Sequence, residues 1–426
     1  MVRKISAILF VVLLTISVKT DAYWAGRDAT FHEEYSLQKM TILSRHNIRS
    51  PLSAPGSELE QVTPHKWFKW TSRPGELSLK GAQLETIMGQ YFRRALTSEK
   101  LVNEVYTPKE GEMRFYANSK QRTIATARFF AAGFLPIANV TVEHKFAPEG
   151  SDLVFSPHLI YYSENYKDKA KKEMLDMFNK GDMKNKLEKA FKILEKTIDY
   201  KDSPMGKSGK KFTLDDMKMT VEKDKQPSVK GSFNLTHNIA DALVLQYYET
   251  SDKKAAAFGH NLTTKEWEEI TSIIGMYYDV TLRTPLIAPN AAHLFLETMN
   301  GELLNKDRKF SFLCGHDSTI AATLAALEVK PYSLPNAIEK QTPIGVKFVI
   351  SVWKDKKGEE YAAAELVYQS AEQLRNREIL TEDNPPMIYR LKFNGLEENK
   401  DGLYLLKDIE ARFQKAILKY NEIKKY

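Results

Sequence analysis

The sequence predicts an α/β fold that carries an inserted helical region. Segments with the pattern of a strand alternate with segments with the pattern of a helix before residue 150 and again after residue 285, as in α/β proteins. The residues between are rich in lysine and have the periodicity of amphipathic helices. The chain has 426 residues, 42% hydrophobic and 27% charged, which is an ordinary globular composition and enough length for two lobes.

The first element has the pattern of a secretory signal peptide. Arg3 and Lys4 precede an uncharged run over residues 5–18, and a short polar stretch then ends at Ala22. The run is shorter than the about 20 residues that a bilayer-spanning helix needs. We therefore expect cleavage after Ala22, export through the Sec pathway and a periplasmic location. An uncleaved membrane anchor is the alternative.

Composition limits the compartment and the partners. Cys314 is the only cysteine, so no intramolecular disulfide can form, which favours a bacterial periplasm over a eukaryotic secretory route. The net charge is +7, but the lysines are spread along the chain without a compact basic and aromatic stripe. We expect no nucleic-acid partner, no stable membrane anchor after signal cleavage, and a monomer or homodimer.

Three junctions between a strand and a helix follow along the chain. Residues 39–44 form the first predicted strand, and a helix with Ser78 as its N-cap comes later. Residues 112–117 form the second strand, with Asn118 at a cap position before a helix. A third strand ends at Leu313, and its helix begins near Ser318. Two further strands, "IGVKFVISVW" and "EYAAAELVYQS", precede a closing helix that contains Phe413.

Unusual polar side chains follow these three strands: Arg45, His46 and Arg49 after the first, Arg122 after the second, and His316 and Asp317 after the third. Each has an ordinary alternative. Arg122 can be a helix-surface cation, His316 a loop residue and Asp317 an N-cap. In open α/β sheets, however, ligands collect beyond the carboxyl ends of the strands, where helix N-termini favour anions. We therefore expect these side chains to converge on an anion.

Such a cluster has the groups that phosphoryl transfer needs. Arginine side chains can bind the phosphoryl oxygens and neutralise their charge in the transition state. Neighbouring cations also disfavour the imidazolium form of His46, which leaves a ring nitrogen free to attack phosphorus. Asp317 is the candidate acid that protonates the departing oxygen. Because this role requires a protonated carboxyl group, we expect an acidic pH optimum.

The stretch "RHNIRSP" resembles the Arg-His-Gly-x-Arg-x-Pro signature of the histidine acid phosphatases, branch 2 of the histidine phosphatase superfamily, and "GHDS" resembles their distal His-Asp element. The stretches "TPHKWFKW", "YANSKQRTIATA", "TPIGVKFVISVW" and "VYQSAEQLRN" are similar to those of the glucose-1-phosphatase branch, and the likeness covers nearly the whole mature chain. Asn47 stands where most of the superfamily has glycine, but asparagine is typical of that branch. Asparagine also tolerates left-handed backbone angles.

The resemblance implies a role for each candidate residue. His46 would be the nucleophile and Asp317 the acid, while the phosphate would be bound by Arg45, Arg49, Arg122 and His316. It implies no metal and no other cofactor. It also implies a phosphoglycerate-mutase-like α/β core with a central mixed sheet flanked by helices. Residues 23–149 and 286–426 would form this core, and residues 150–285 a mostly helical cap domain.

The expected substrate is a small phosphate monoester, most simply a sugar phosphate such as glucose-1-phosphate. Inositol hexakisphosphate is the alternative with the same mechanism. A phosphomutase is disfavoured by the export signal, and a non-catalytic anion-binding protein by the joint presence of His46 and Asp317. Trp67 and Trp70 can stack on a sugar ring, but ordinary aromatic packing is the commoner role, so we do not include them among the site residues.

Overall fold

The computed structural model describes residues 24–53, 56–146 and 150–426, so the expected signal peptide lies outside the described residues. The strands in the described residues are β1 Tyr35–Arg45, β2 Met113–Ala117, β3 Val142–Glu143, β4 Lys218–Thr220, β5 Ser228–Lys230, β6 Phe310–Gly315, β7 Lys347–Asp355, β8 Glu360–Tyr368, β9 Met387–Arg390 and β10 Tyr404–Leu405.

The helices before residue 210 are α1 Ala29–Glu34, α2 Glu58–Gln61, α3 Leu79–Ser98, α4 Gln121–Phe134, α5 Glu164–Phe178, α6 Met183–Thr197 and α7 Pro204–Lys207. Those that follow are α8 Ser232–Glu249, α9 Lys253–Ala256, α10 Thr264–Thr281, α11 Ile287–Leu304, α12 Asp317–Ala326, α13 Ala371–Asn376 and α14 Leu406–Ile423. Within the described residues, none of these helices combines the length and the apolar character that crossing a bilayer requires.

A mixed sheet organises the chain. Its strand order is β10-β8-β7-β1-β6-β2-β3, and β9 pairs with β8. The pairs β1–β6, β6–β2 and β2–β3 are parallel, whereas β1–β7 and β7–β8 are antiparallel. The predicted α/β class with a central mixed sheet flanked by helices is therefore confirmed.

Apolar side chains alternate between the two faces of the sheet. Ile42 and Phe312 point to the face covered by α3 and α4, whereas Leu43 and Leu313 point to the face covered by α11, α12 and α14. The helices α3 and α4 approach closely because glycines lie at their contact. A Cβ atom at Gly89 would be 2.2 Å from the backbone oxygen of Phe130.

Most of the predicted elements are present, with shifted ends. The β1 strand is longer than expected, because it starts at Tyr35 and continues to Arg45. The Ser78 hydroxyl caps α3 by accepting from the Gly81 amide. The prediction that Asn118 caps the next helix is wrong. That helix begins at Gln121, and its N-cap residue is Lys120.

Helices dominate the segment between α5 and α10. Their buried faces include Phe191 of α6, Leu243 of α8 and Ile273 of α10, which belong to the same hydrophobic cluster as Leu313 in the sheet. Lysines of α5 and α6 lie largely on the solvent side, as the amphipathic pattern indicates. The apolar core of this segment is therefore continuous with the core on one face of the sheet.

Candidate active site

The carboxyl ends of β1, β2 and β6 lie side by side. In the parallel registers, Arg45 is opposite Gly315 and Ala117 is opposite Cys314. The chain continues the pairing just beyond the strands, because the His46 amide donates to the Gly315 oxygen at 3.1 Å. All three predicted junctions consequently open at the same edge of the sheet, and the predicted site residues come together there.

His46 is almost fully buried, with 3% of its surface exposed. Its Nδ1 lies 2.8 Å from the backbone oxygen of Asn47. A carbonyl oxygen only accepts, so Nδ1 carries the proton and the neutral ring has its lone pair on Nε2. Burial lowers the pKa of His46 well below its ordinary value, and the nearby Arg122 and Arg49 lower it further. The ring is therefore a neutral base with its free nitrogen at Nε2.

Arg45 is held between two carboxylates. Its Nη1 lies 2.6 Å from Oε1 of Glu339 and its Nη2 lies 3.1 Å from Oδ2 of Asp317. It also donates to the backbone oxygen of Thr342. Despite burial, which opposes its charge, the two carboxylates raise the pKa of Arg45. The guanidinium group is thus a fixed cation beside His46.

Arg49 and Arg122 add two more cations. Arg49 contacts Asp241 of α8 through Nη2 at 2.9 Å. Arg122 has a much weaker anchor, a contact of 3.4 Å between its Nη1 and the Gly75 oxygen. Burial and the neighbouring Arg49 lower the pKa of Arg122 to about 10. In both residues the Nε atom is buried without a hydrogen-bond partner among the described residues, which leaves donors for an anion.

His316 packs against His46 edge to face, with ring centroids 5.4 Å apart. Its Nε2 lies 2.7 Å from Nδ2 of Asn118. The Asn118 amide is oriented by two backbone donors, because its Oδ1 accepts from the amides of Ser119 and Asp152. Asn118 therefore positions His316 instead of capping a helix. Burial, with Arg122 nearby, lowers the pKa of His316 well below its ordinary value.

Asp317 is the first residue of α12, so it is not the N-cap; that position belongs to His316. Its Oδ1 accepts from the Ser318 amide at 2.9 Å, and its Oδ2 faces Arg45. Burial opposes ionisation, but Arg45 and the other cations outweigh it and lower the pKa of Asp317 to about 2. This carboxyl group is ionised in the ligand-free protein, so the proton that its expected role as an acid requires is not already on it.

Several residues of the site were not predicted from the sequence: Asn118, Asp241, Glu339, Glu85 and Lys347. The last two form a fully buried ion pair beneath Asn47, whose Nδ2 donates to Glu85 at 2.8 Å. A charged residue inside an apolar segment was the available signal, as at Lys347 in "IGVKFVISVW". Their partners are distant in the sequence, so the pairing itself had no local signature.

The arrangement combines three guanidinium groups with a neutral imidazole that has a free ring nitrogen. It can bind a tetrahedral oxyanion and place its central atom next to a nucleophile. Among the described residues, no group of three or more His, Cys, Asp or Glu side chains is arranged to hold a metal ion. The chemistry that these residues themselves offer is nucleophilic and acid-base.

Comparison with known proteins places the chain in a family. Residues 36–369 match the family model of the histidine phosphatase superfamily (branch 2). The chain is 35% identical over 389 residues to a glucose-1-phosphatase of Providencia rettgeri, covering 89% of this chain and 92% of that protein. It is 24% identical to a phytase of Escherichia coli, with 87% and 89% covered. The crystal structure of the phytase from Citrobacter braakii has the same fold, with a TM-score of 0.81, 24% identity, and 90% and 98% of the two chains covered.

Proposed function

Because the chain belongs to branch 2 of the histidine phosphatase superfamily, we propose that it hydrolyses phosphate monoesters through a phosphohistidine formed on His46. The observation that carries the proposal is the state of His46. Its ring is neutral, its Nδ1 proton is held by the Asn47 oxygen so that Nε2 keeps its lone pair, and burial together with Arg122, Arg49 and Arg45 lowers its pKa. Arg45, Arg49 and Arg122, together with His316, bind the phosphoryl oxygens.

In the first step, Nε2 of His46 attacks phosphorus and the bond between phosphorus and the ester oxygen breaks. The departing oxygen takes a proton from the carboxyl group of Asp317, which becomes a carboxylate. In the second step, that carboxylate accepts a proton from water while the water oxygen attacks phosphorus. The bond between phosphorus and Nε2 breaks, which frees His46, and the phosphate carries away the proton that Asp317 took from water.

The proton on Asp317 has to arrive with the substrate. In the ligand-free protein its pKa is about 2, since Arg45 and its neighbours outweigh the effect of burial. A phosphate monoester, whose second pKa is about 6, binds as a monoanion under acidic conditions and brings one proton into the site. Transfer of this proton to Asp317 leaves a dianion for the arginines. We therefore still expect an acidic pH optimum, because the protonated form of the substrate supplies the proton for Asp317.

Sugar phosphates, and glucose-1-phosphate first among them, are the proposed substrates. The support is the 35% identity to the Providencia rettgeri enzyme, whose name states that activity, over nearly the full length of both chains. The second candidate substrate is inositol hexakisphosphate. It is supported by the shared fold with the Citrobacter braakii phytase and by the more distant Escherichia coli relative. Both candidates use the same residues.

In this proposal, residues of the helical region form one side of the phosphate site. Asp241 of α8 contacts Arg49, and the raised pKa of Tyr278 in α10 has burial as its main cause and Asp317 as a second. Residues 150–285 are thus proposed as a cap domain on a core of residues 23–149 and 286–426. The basic and apolar pattern of residues 1–22 supports export to the periplasm after cleavage of a signal peptide.

The test compares phosphate release from glucose-1-phosphate and from inositol hexakisphosphate between pH 4 and 7. We expect the wild type to hydrolyse glucose-1-phosphate with the higher kcat/KM, and His46→Ala to be inactive on both. Quenching a wild-type reaction in alkaline denaturant, in which phosphohistidine is stable, should trap labelled phosphorus from the substrate on the protein, and His46→Ala should trap none. An active His46→Ala variant would disprove the phosphohistidine mechanism. Release of the label as a new phosphorylated sugar would indicate a phosphomutase, and a wild type that binds phosphate without turnover would indicate an anion-binding protein.

A further inference from the structure

A second concave surface lies next to the phosphate site. We call it the aromatic groove, and it is lined by Trp67, Phe68 and Trp70 together with Pro51, Ser57 and Ser72. Its volume is about 560 Å³, which is enough for a sugar ring. None of these residues has a role in the mechanism above.

The aromatic side chains of the groove are held firmly. Trp67 donates from Nε1 to the Leu59 oxygen at 2.7 Å, and its ring meets Phe258 edge to face at 5.0 Å. Phe68 and Trp70 pack edge to face at 5.2 Å. Both tryptophans touch the core with part of their surface, but each also lines the groove, and Phe68 is 36% exposed. Ordinary core packing therefore accounts for only part of each ring.

Polar atoms in the same groove lack partners. The hydroxyl oxygens of Ser57 and Ser72 are buried and form no hydrogen bond with any described residue. Such atoms are costly unless something bonds to them. The charged side chains that line the groove, Glu60, Lys66 and Lys69, are of both signs and exposed. Aromatic faces next to serine side chains that lack hydrogen-bond partners suit a neutral polyhydroxylated ring, which has apolar C–H faces and hydroxyl edges.

The groove adjoins the arginines of the phosphate site. Arg49 donates to the oxygen of Ser50, which lines the groove together with Pro51. Gly75, whose oxygen contacts Arg122, donates its amide to the Pro51 oxygen at 3.0 Å.

Helix α8 contacts both the phosphate site and the aromatic groove, so it gives an estimate of the distance between them. Asp241 contacts Arg49, and the side chain of Gln246 accepts from the Phe68 amide at 2.8 Å. Five residues of helix correspond to an axial rise of about 7.5 Å. A sugar unit attached to the phosphorylated one can cover such a distance.

We propose that the aromatic groove binds a second pyranose ring of the substrate, so that the enzyme prefers phosphorylated disaccharides or longer phosphorylated saccharides over a phosphorylated monosaccharide. This inference rests on the proposed phosphatase function and deepens it. The reacting phosphoryl group stays on His46, and the groove contributes only to recognition of the leaving group.

The first experiment compares kcat/KM for maltose 1-phosphate and for glucose-1-phosphate in the wild type and in Trp70→Ala. We expect the wild type to favour maltose 1-phosphate by roughly threefold to tenfold through KM, in line with the energy of an aromatic stacking contact. Trp70→Ala should abolish this preference and leave kcat for glucose-1-phosphate unchanged. Phe129→Ala, which removes an exposed aromatic ring on α4 outside the groove, is the control and should keep the preference.

Because Trp70 also packs against the core, Ser72→Ala provides a second test with little risk to folding. This variant should have a lower kcat/KM for maltose 1-phosphate than the wild type. Its kcat and KM for glucose-1-phosphate should be unchanged. Isothermal calorimetry with maltose, which has no phosphate, should detect binding to the wild type and to Phe129→Ala but not to Trp70→Ala.

The outcomes separate the two proposals. If the wild type hydrolyses no phosphate ester, the proposed function fails. If it hydrolyses both esters with equal kcat/KM, or if Trp70→Ala and Ser72→Ala lower both values in parallel, the phosphatase function stands and the groove proposal is overturned.

Discussion

The Nζ atom of Lys347 lies 3.1 Å from each carboxylate oxygen of Glu85, and neither side chain is exposed. The pair holds the backbone beside the proposed nucleophile. Asn47 donates from Nδ2 to Glu85 at 2.8 Å, and Lys347 donates to the Gly345 oxygen at 2.9 Å. Since His46 donates its Nδ1 proton to the Asn47 oxygen, the tautomer of His46 depends on an ion pair that does not touch the phosphate site.

Replacement of Lys347 by methionine should destabilise the protein strongly, because it leaves Glu85 buried without a counter-charge. We expect a loss of about 3–5 kcal/mol in the free energy of unfolding, measured with urea. The double variant Glu85→Gln/Lys347→Met should recover most of this loss, since glutamine still accepts from Asn47 but carries no charge. Lys415→Met, in an exposed ion pair with Glu328, is the control and should cost less than about 1 kcal/mol. A double variant no more stable than Lys347→Met would contradict the explanation.

Gly81→Ala should damage the loop that carries Arg49. A Cβ atom at Gly81 would lie 2.4 Å from the backbone oxygen of Ile48, which is the residue before Arg49. We expect a loss of about 3 kcal/mol in unfolding free energy and a higher KM. Gly301→Ala in α11, where a Cβ atom meets nothing within 4 Å, should instead be neutral or stabilising by up to about 1 kcal/mol. Equal effects of the two substitutions would show that the close contact with Ile48 is unimportant.

Asp317→Asn should affect esters according to their leaving groups. Glucose-1-phosphate needs a proton on its departing oxygen, so its kcat/KM should fall by about a hundredfold or more. The nitrophenolate of p-nitrophenyl phosphate departs without a proton. The kcat/KM for that substrate should therefore fall by less than about tenfold. Asp241→Asn weakens the contact that holds Arg49 and leaves Asp317 in place. It should therefore reduce kcat/KM for both substrates by the same factor. A parallel loss in Asp317→Asn would mean that Asp317 only orients Arg45.

Two histidines of the site make the free energy of unfolding depend on pH. Burial lowers the folded-state pKa of His46 and His316 well below the ordinary value of 6.5. Above pH 6.5 both states of the chain carry neutral rings. Below it the unfolded chain binds protons that the folded protein does not, so stability falls with pH, by up to about 1.4 kcal/mol per pH unit for each ring. Urea unfolding between pH 7 and 5 should show a smaller slope for His46→Asn than for the wild type. His144→Asn, at an exposed position, serves as the control and should leave the slope unchanged.

Features encoded by neighbouring residues were predicted correctly from the sequence. The apolar strand before Arg45, the cap at Ser78 and the Gly-His-Asp turn after β6 are all encoded within about ten residues, and the structure contains each of them. Parallel pairing of β1, β6 and β2 then brings the three predicted junctions to one edge. This step was predictable because the carboxyl ends of parallel strands point the same way.

The contacts that tune the site could not be predicted in this way. Asn118 has the local pattern of a cap, but its amide is used by Asp152 and His316, the latter 198 positions away. Arg45 looks like a free phosphate ligand in the sequence, yet Glu339 occupies its Nη1. The ionised state of Asp317 in the ligand-free protein was not predicted for the same reason, because the Arg45 contact that lowers its pKa forms only in the folded chain.

The pairing of β1 with β6 also determines when the protein becomes able to act during its synthesis. Arg45 and Gly315 are register partners although 270 positions separate them, and the other neighbour of β1, the strand β7, is made later still. A nascent chain that ends before β6 contains His46 and the arginines but no partner on either edge of β1. Closure of such distant contacts is a late and slow event in folding. At least the first 315 residues must therefore be synthesised before the site assembles, and we expect a shorter nascent chain to be inactive toward phosphate esters in the cell that makes it.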